Sequence, residues 1–431
     1  MSFAFLLCIG VVLVVAGIGV PIAYAVIVGS LSYLFVSGES VGLAGKLMMD
    51  GLYGSFILLA VPLFIVAANI MNAGTISDRL LQFCIVLVGR FRGGMGHVNV
   101  VASLIFSGMS GSAVADAAGI GKIIIEMMTR TGHYTRGYAA AITAASATIG
   151  PIIPPSIPMV LYALVSSTSI GYLFLGGIIP GLFMGAVLMA MNYIIARKRN
   201  FGLEDAPPLR ELPRNTLQAF PALLMPAILL YGIYGGVTTP TEAAAVAAFY
   251  ALLLAVFIYR SLRLRVFMEI LIDSARSSAA VGLIIGSALI LNYVVAAENI
   301  PNLLAEYLNN LDVSPLMFLL GVNLLLLLLG CLLDATTIIL VIIPLFLPAC
   351  RELGIDLVHF GVVAIVNTMI GLITPPYGVL LFVLTAVTGI PLNEIIREIW
   401  LFLGALIVAL LAMILFPDIV LWLPKYFGYA G

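Results

Sequence analysis

Charge is what this sequence lacks most. Only 9% of its 431 residues are Asp, Glu, Lys or Arg, where a soluble domain carries roughly 25%. Nineteen Lys and Arg and twenty Asp and Glu cannot cover a globule of this size with polar groups. With 63% hydrophobic residues and a mean hydropathy of +1.21, most of the surface must face lipid. A soluble enzyme, a nucleic-acid binder and a disordered scaffold are excluded, and a net charge of −1 leaves no electrostatic footprint for DNA or RNA. The lipid bilayer is the first partner.

Cysteine and histidine are scarce as well. Cys8, Cys84, Cys331 and Cys350 lie in apolar surroundings without a CxxC pair, which reads as buried thiols acting as small hydrophobes. His97, His133 and His359 sit at segment ends and form no HExxH-type pair, so no transition-metal site is expected. A cleaved signal peptide is not expected either. The first basic residue is Lys46, and the apolar run from Phe3 to Val36 is too long.

What the sequence has in abundance is long apolar runs. Stretches of about 20 residues suit a membrane crossing. They fall at about 3–36, 53–73, 137–168, 173–196, 217–236, 239–260, 280–297, 358–388 and 399–421. Two more, about 97–129 and 315–350, are interrupted at mid-length by Gly108-Met-Ser-Gly-Ser112 and by Asp334-Ala-Thr-Thr337. Each is compatible with one spanning helix or with a re-entrant hairpin.

Lys and Arg in short loops mark the cytoplasmic side. Arg90, Arg92, Arg130 and Arg136 flank the first interrupted stretch on both sides, so it is expected to enter and leave on one face. The second is flanked by Glu298, Glu306 and Asp312 before it, and by Arg351, Glu352 and Asp356 after it, which places its ends outside. The resulting topology is nine crossings and two hairpins, with the N-terminus inside and the C-terminus outside. Residues 264–279, with Asp273 and Arg276, read as an amphipathic interfacial stretch. Residues 200–216, with Glu204 and Asp205, read as a cytoplasmic connection.

The two halves share an order of features. Ile149-Gly150 precedes Pro154-Pro155, and Ile370-Gly371 precedes Pro375-Pro376, at the same offset of 221. Asn69 and Asn292 occupy similar places upstream, and the segment from Gly74 resembles that from Glu298. Opposite charge bias at the two hairpins makes the repeats inverted. The division that follows is an N-terminal scaffold helix in 1–45, a first repeat in 46–199, a linker and scaffold helix pair in 200–265, and a second repeat in 266–431. The fold expected is an all-α polytopic membrane protein with two re-entrant hairpins and two proline-broken helices.

Inverted repeats with discontinuous helices are a transporter signature, because freed backbone groups survive at membrane depth only in protein or beside a wet cavity. Pro154, Pro155 and Pro158 remove three amide donors and disrupt the helix. The carbonyls so freed suit a sodium ion, and the amides opening the next half-helix suit a carboxylate. Ser107, Ser110 and Ser112 supply oxygens at the first hairpin tip, where Gly108 and Gly111 permit a reversal. Small residues that merely allow close helix packing are the plainer alternative. Asp116 and Asp334 are carboxylates inside apolar segments, which ordinarily face a pathway or a partner. For Asp116, stabilisation by a helix N-terminus explains the residue equally well. Lys122, Glu126 and Arg130 are spaced for pairing along one helix face.

Three runs together carry a family likeness. Gly94-Met-Gly-His-Val-Asn-Val-Val-Ala-Ser103, Ser107-Gly-Met-Ser-Gly-Ser-Ala-Val-Ala-Asp-Ala-Ala118 and Thr148-Ile-Gly-Pro-Ile-Ile-Pro-Pro-Ser-Ile-Pro158 closely resemble the large, DctM-like membrane subunit of TRAP transporters, the tripartite ATP-independent periplasmic transporters. Gly371-Leu-Ile-Thr-Pro-Pro376 fits the family's second half. The resemblance implies a sodium-coupled, elevator-type transport subunit, not an enzyme, in the bacterial inner membrane. Its partners would be a small DctQ-like membrane subunit and a DctP-like periplasmic substrate-binding protein. No fused small subunit precedes Met1, so that partner is expected as a separate chain.

Carried over by motif, Ser110, Ser112, Gly150 and Pro154 would form one sodium site, and Asp334, Thr337, Gly371 and Thr374 the other. Ser107, Asp116, Pro155, Ser156 and Pro376 would lie near a small carboxylate substrate. Sodium would be the coupling ion, with no other cofactor. C4-dicarboxylate, 2-oxo acid and sialic acid all remain open as substrates. A single-component anion transporter and, more distantly, an intramembrane enzyme are the competing readings. The second lacks any visible nucleophile–base cluster.

Overall fold

The structure is a computed structural model, which describes residues 2–72, 75–203, 207–303 and 313–431. Gly74, Glu204, Asp205, Glu306 and Asp312 lie outside the described residues. All regular structure among the described residues is helical. The helices begin where the sequence supplies caps: the Ser2, Thr135, Ser314 and Asp356 side chains each accept a backbone N–H from the first turn that follows.

The first half contains α1 (Phe3–Gly17), α2 (Ile22–Val36), α3 (Gly42–Gly54), α4 (Ala60–Asn72) and α5 (Thr75–Val88). Then come α6 (Gly94–Ser110), α7 (Ala113–Asp116), α8 (Lys122–Arg130), α9 (Arg136–Ala147), α10 (Ile157–Ser166) and α11 (Ile170–Lys198). Helices α12 (Leu212–Tyr234), α13 (Pro240–Leu253) and α14 (Leu264–Ala297) follow. The second half continues with α15 (Pro315–Gly330), α16 (Ala335–Thr337), α17 (Leu347–Glu352), α18 (Leu357–Gly371), α19 (Val379–Thr388), α20 (Leu392–Leu415) and α21 (Asp418–Tyr426).

Among the described residues, five helices are long and apolar enough to cross a membrane: α11, α12, α13 with its extension to Ile258, α14 and α20. Helices α3 and α4, joined by a 3-10 turn and bent by 71°, make a sixth candidate.

Two expectations need correcting. The run 3–36, read as one crossing and one scaffold helix, is an antiparallel pair. Gly19 at φ +91° and Pro21 at the cap of α2 reverse the chain between α1 and α2. Each helix has 15 residues, about 22 Å, short of a hydrocarbon core of about 30 Å. The nine-crossing count therefore does not carry over unchanged. Residues 264–279 are also not a separate interfacial helix. No Gly or Pro interrupts them, so they run straight into 280–297 as the 34-residue α14.

The repeat is visible element by element. In each half a long first limb (α6, α15) meets a short helical turn (α7, α16). A π-helical turn follows, at Ala117–Gly121 and at Ile338–Ile342. A broken pair then comes next, α9 and α10 in the first half, α18 and α19 in the second. Both proline pairs, Pro154-Pro155 and Pro375-Pro376, are joined by cis bonds. Helices α4, α5, α12, α13 and α14 pack as one set and α9, α11, α15, α18 and α20 as another, with α6 packed against both. The α1–α2 pair has its own small core with α3 and the end of α14, built on Phe5, Cys8, Leu34, Ile290 and Val294.

Candidate functional site

The two hairpin tips and the two helix breaks meet. A cavity of about 280 Å³ is lined by Ser110–Ala115 from the first tip, Asp334–Thr336 from the second, Pro151, Ile157 and Pro158 from the first break, and Met369, Leu372 and Val379 around the second. Asn69 on α4 and Ser277 and Val281 on α14 close it from the other set of helices. Among the described residues, no Lys or Arg lines it.

The first tip is seated on the first break. Gly111 adopts φ +60°, and a side chain there would meet the Pro155 carbonyl oxygen at 2.5 Å, so only glycine allows this approach. Ser112 starts α7 by accepting the Ala115 amide at 3.3 Å, while its own N–H reaches the Ser110 hydroxyl at 3.4 Å. Ser156 closes the break: its hydroxyl donates to the Pro151 carbonyl and accepts the Met159 amide at 3.2 Å. Two helix starts, α7 and α10, thus open at the cavity, with the Ala115 and Met159 amides taken by their serine caps and no N–H on Pro158.

Asp116 is buried just behind this tip. Ser110 donates its hydroxyl to one carboxylate oxygen. The other oxygen, Oδ2, has no hydrogen-bond partner among the described residues and lies where a Gly150 side chain would project. A buried carboxylate oxygen left bare is costly unless a cation or a proton neutralises it. Ser110, Asp116 and Gly150 therefore form one polar group around a potential cation position. Asp116 is buried behind the tip and does not itself line the cavity.

In the second half Asp334 caps α16. The Thr337 hydroxyl donates to Asp334 Oδ1 at 2.5 Å and the Thr337 amide to Oδ2 at 3.1 Å. Asp334 is half-buried and lines the cavity, while Thr337 is buried behind it. Gly371 packs on the backbone of Gly330 at the end of α15, where a methyl group on Gly371 would meet Gly330 Cα at 2.6 Å.

Some expected residues point elsewhere. The Ser107 hydroxyl donates to Leu104 O at 2.6 Å and Thr374 to Ile370 O at 2.8 Å, each turned back along its own helix. Pro154 and Pro376 shape the breaks without lining the cavity. Asn69 and Asn292 have different surroundings: Asn69 donates to Ser274 at 2.8 Å beside the cavity, whereas Asn292 faces a separate one with Asp50 and Ser55. Of the charge pairings, Glu126 and Arg130 lie 3.9 Å apart and Asp273 and Arg276 3.5 Å apart, all exposed.

A polar brace was not anticipated. Asn99 on α6 donates to Thr143 at 2.6 Å and accepts from Ser146 at 3.0 Å, while Ser103 donates to Ser146 at 2.9 Å. In the second half, Asn367 on α18 donates to the Asn323 carbonyl at 2.6 Å and to its side-chain oxygen at 2.8 Å. Each brace ties the first hairpin limb to the broken helix beside it. The offset from Ser146 to Asn367 is the same 221 that relates the glycines and prolines, which was the available signal.

Comparisons with known proteins bear on the family and the overall fold. The family model described as the DctM component of the tripartite ATP-independent periplasmic transporter matches residues 9–419. The sialic acid TRAP transporter large permease protein SiaM of Vibrio cholerae is 42% identical over 413 residues, spanning 95% of this chain and 96% of that protein. The C4-dicarboxylate TRAP transporter large permease protein DctM of Pseudomonas aeruginosa is 41% identical over 401 residues, 93% of each. Among solved structures, the YdaH transporter of Alcanivorax borkumensis shares the fold with a TM-score of 0.62 at 15% identity, covering 88% of both chains.

Proposed function

The chain belongs to the DctM component family of tripartite ATP-independent periplasmic transporters, and from that premise we propose that it imports an organic acid anion by sodium-coupled, elevator-type alternating access. It is a multi-pass membrane protein and a transport subunit, not an enzyme. The proposal extends to its setting: the bacterial inner membrane, a small DctQ-like membrane subunit, and a DctP-like periplasmic protein that delivers the substrate. The substrate class is a small carboxylate, C4-dicarboxylate or a similar organic acid.

The charge of the central cavity carries this reading. An anion entering it meets the Asp334 carboxylate with Asp116 close behind, and no Lys or Arg among the described residues lines the cavity to offset them. Helix N-termini contribute only about half a charge each. Bound cations are what make room for a carboxylate, so substrate and cation binding are coupled by electrostatics alone. One cation fits at Ser110, Asp116 and Gly150, with Ser112 and Pro154 supplying the backbone around it. The other fits at Asp334 and Thr337, beside the Gly371 and Thr374 break. Hard oxygen donors without thiolate or imidazole suit sodium.

Carrying each negative charge inward against an inside-negative potential costs roughly 2.3 kcal/mol per 100 mV. Two sodium ions balance a dianion electrically and leave the sodium gradient as the drive. The packing of α9 and α18, the helices that lead into both breaks, in one helix set beside a second set of α4, α5, α12, α13 and α14 supports a carrier sliding along a scaffold. The test is uptake by the complete complex in vesicles. Uptake should need inward-directed sodium and should vanish when the binding protein is omitted. Uptake unaffected by replacing sodium with choline sinks the reading.

A further inference from the structure

Asp334 borders two cavities. One is the central cavity; the other, of about 540 Å³, lies between Asp334, the start of α2 at Pro21–Tyr24, and Ala279, Ala280, Leu283 and Ile284 on α14. We propose that this second cavity is a cation vestibule, through which the coupling ion reaches and leaves Asp334 without crossing the substrate cavity. The proposal rests on the reading of Asp334 as a coupling-ion ligand.

Three observations carry it. Among the described residues, the ionisable groups bordering the vestibule are Asp334 and Tyr24, so Asp334 supplies its strong attraction for a cation. The positive end of α2 disfavours a cation resting in the vestibule itself, which makes it a passage and not another site. Its wall is also anchored. At the other end of the α1–α2 pair, the Ser2 amide and hydroxyl donate to Glu298 at 2.9 and 2.5 Å, and Tyr33 donates to the same carboxylate at 3.1 Å. The pair is thereby fixed to α14, while Asp334 belongs to the second hairpin. Any movement of that hairpin relative to α14 changes the width of the vestibule, so ion access is tied to the position of the carrier.

Cysteine chemistry tests this directly, because all four native cysteines are buried and give little background. In the reconstituted complex, Ala280→Cys should react with a charged, membrane-impermeant methanethiosulfonate, and sodium should slow that reaction several-fold where choline does not. Ala280→Trp should raise the sodium concentration for half-maximal uptake several-fold and leave the apparent KM for the loaded binding protein unchanged. Reaction of Ala280→Cys only with lipophilic maleimides, or unchanged sodium dependence in a normally assembled Ala280→Trp complex, overturns the vestibule. Asp334→Asn separates the two levels. If it keeps wild-type sodium dependence, the coupling role of Asp334 fails and the vestibule falls with it. If it loses that dependence while Ala280→Trp does not, the vestibule alone is refuted.

Discussion

Ser112 and Asp334 occupy the same place in the two hairpins. Each caps the short helical turn that opens the second limb, Ser112 for the Ala115 amide and Asp334 for the Thr337 amide. A neutral cap in one half thus matches an anionic cap in the other, and the site is asymmetric although the fold repeats. Asn caps a helix about as well as Asp, so Asp334→Asn removes charge and spares the fold. Uptake by Asp334→Asn is expected to fall roughly tenfold or more at fixed sodium, equivalent to about 1.4 kcal/mol. Ser112→Ala, which loses a cap and no charge, is expected to lower thermal stability by about 1 kcal/mol and to keep its sodium requirement. Sodium titrations of uptake, paired with melting curves in detergent, distinguish the two.

Asp116 and Gly150 give a second expectation. The bare Asp116 oxygen leaves room for a cation partner, so sodium should stabilise the purified protein by mass action. The melting temperature of the wild type should rise with sodium chloride and not with choline chloride. Asp116→Asn should flatten that part of the response that comes from this site. Gly150→Ala should flatten it too, because its methyl group would project onto Asp116 Oδ2 and lie 3.2 Å from the Ala147 carbonyl. A full sodium response in both variants refutes the assignment.

The contact of Gly371 with Gly330 is a packing constraint of a different kind. A methyl group on Gly371 would meet the Gly330 Cα at 2.6 Å and its carbonyl carbon at 2.8 Å, both backbone atoms without freedom to move aside. Gly371→Ala should therefore destabilise by about 1–3 kcal/mol, the usual cost of overpacking. Gly282→Ala is the control, since nothing lies within 4 Å of its added carbon. Melting temperatures of the two should differ clearly, with Gly282→Ala at or slightly above wild type.

How much of this was legible in the sequence depended on the kind of signal. Proline pairs, glycine tips and the carboxylates stand out against an apolar background, so the breaks near Pro154 and Pro375 and the tips near Gly111 and Asp334 were readable from chemistry that hydrocarbon does not tolerate. Hydropathy is blind to a reversal between two equally apolar helices, which is why the turn at Gly19 and Pro21 was missed. It is equally blind to continuity, and α14 was divided where its composition changed although its backbone does not. The Asn99 and Asn367 braces escaped notice because a lone amide in a long apolar run has no periodicity. Side-chain direction was also hidden: Ser107 and Ser110 are equivalent on paper, yet one hydroxyl turns to its own helix and the other to Asp116.

Glu298 fixes the N-terminal helix pair, and its charge should matter in proportion to pH. Hydrogen bonds from the Ser2 side chain, then the Ser2 amide, hold its carboxyl below the ordinary glutamate range. A depressed pKa means the anchoring contribution is fully present above the unfolded value, about 4.3. It is lost as pH falls through the lower folded value. The attachment of α1 should therefore be intact at neutral pH and loosen only in acid below about pH 4. Glu298→Gln should loosen it at every pH and remove the acid-dependent step. Hydrogen exchange of the α1 amides at a series of pH values reads this out, corrected for the intrinsic exchange rate. Equal protection of α1 in wild type and Glu298→Gln at neutral pH contradicts the anchoring role. It also frees the wall of the Asp334 vestibule from the fixed position that the α1–α2 pair gives it.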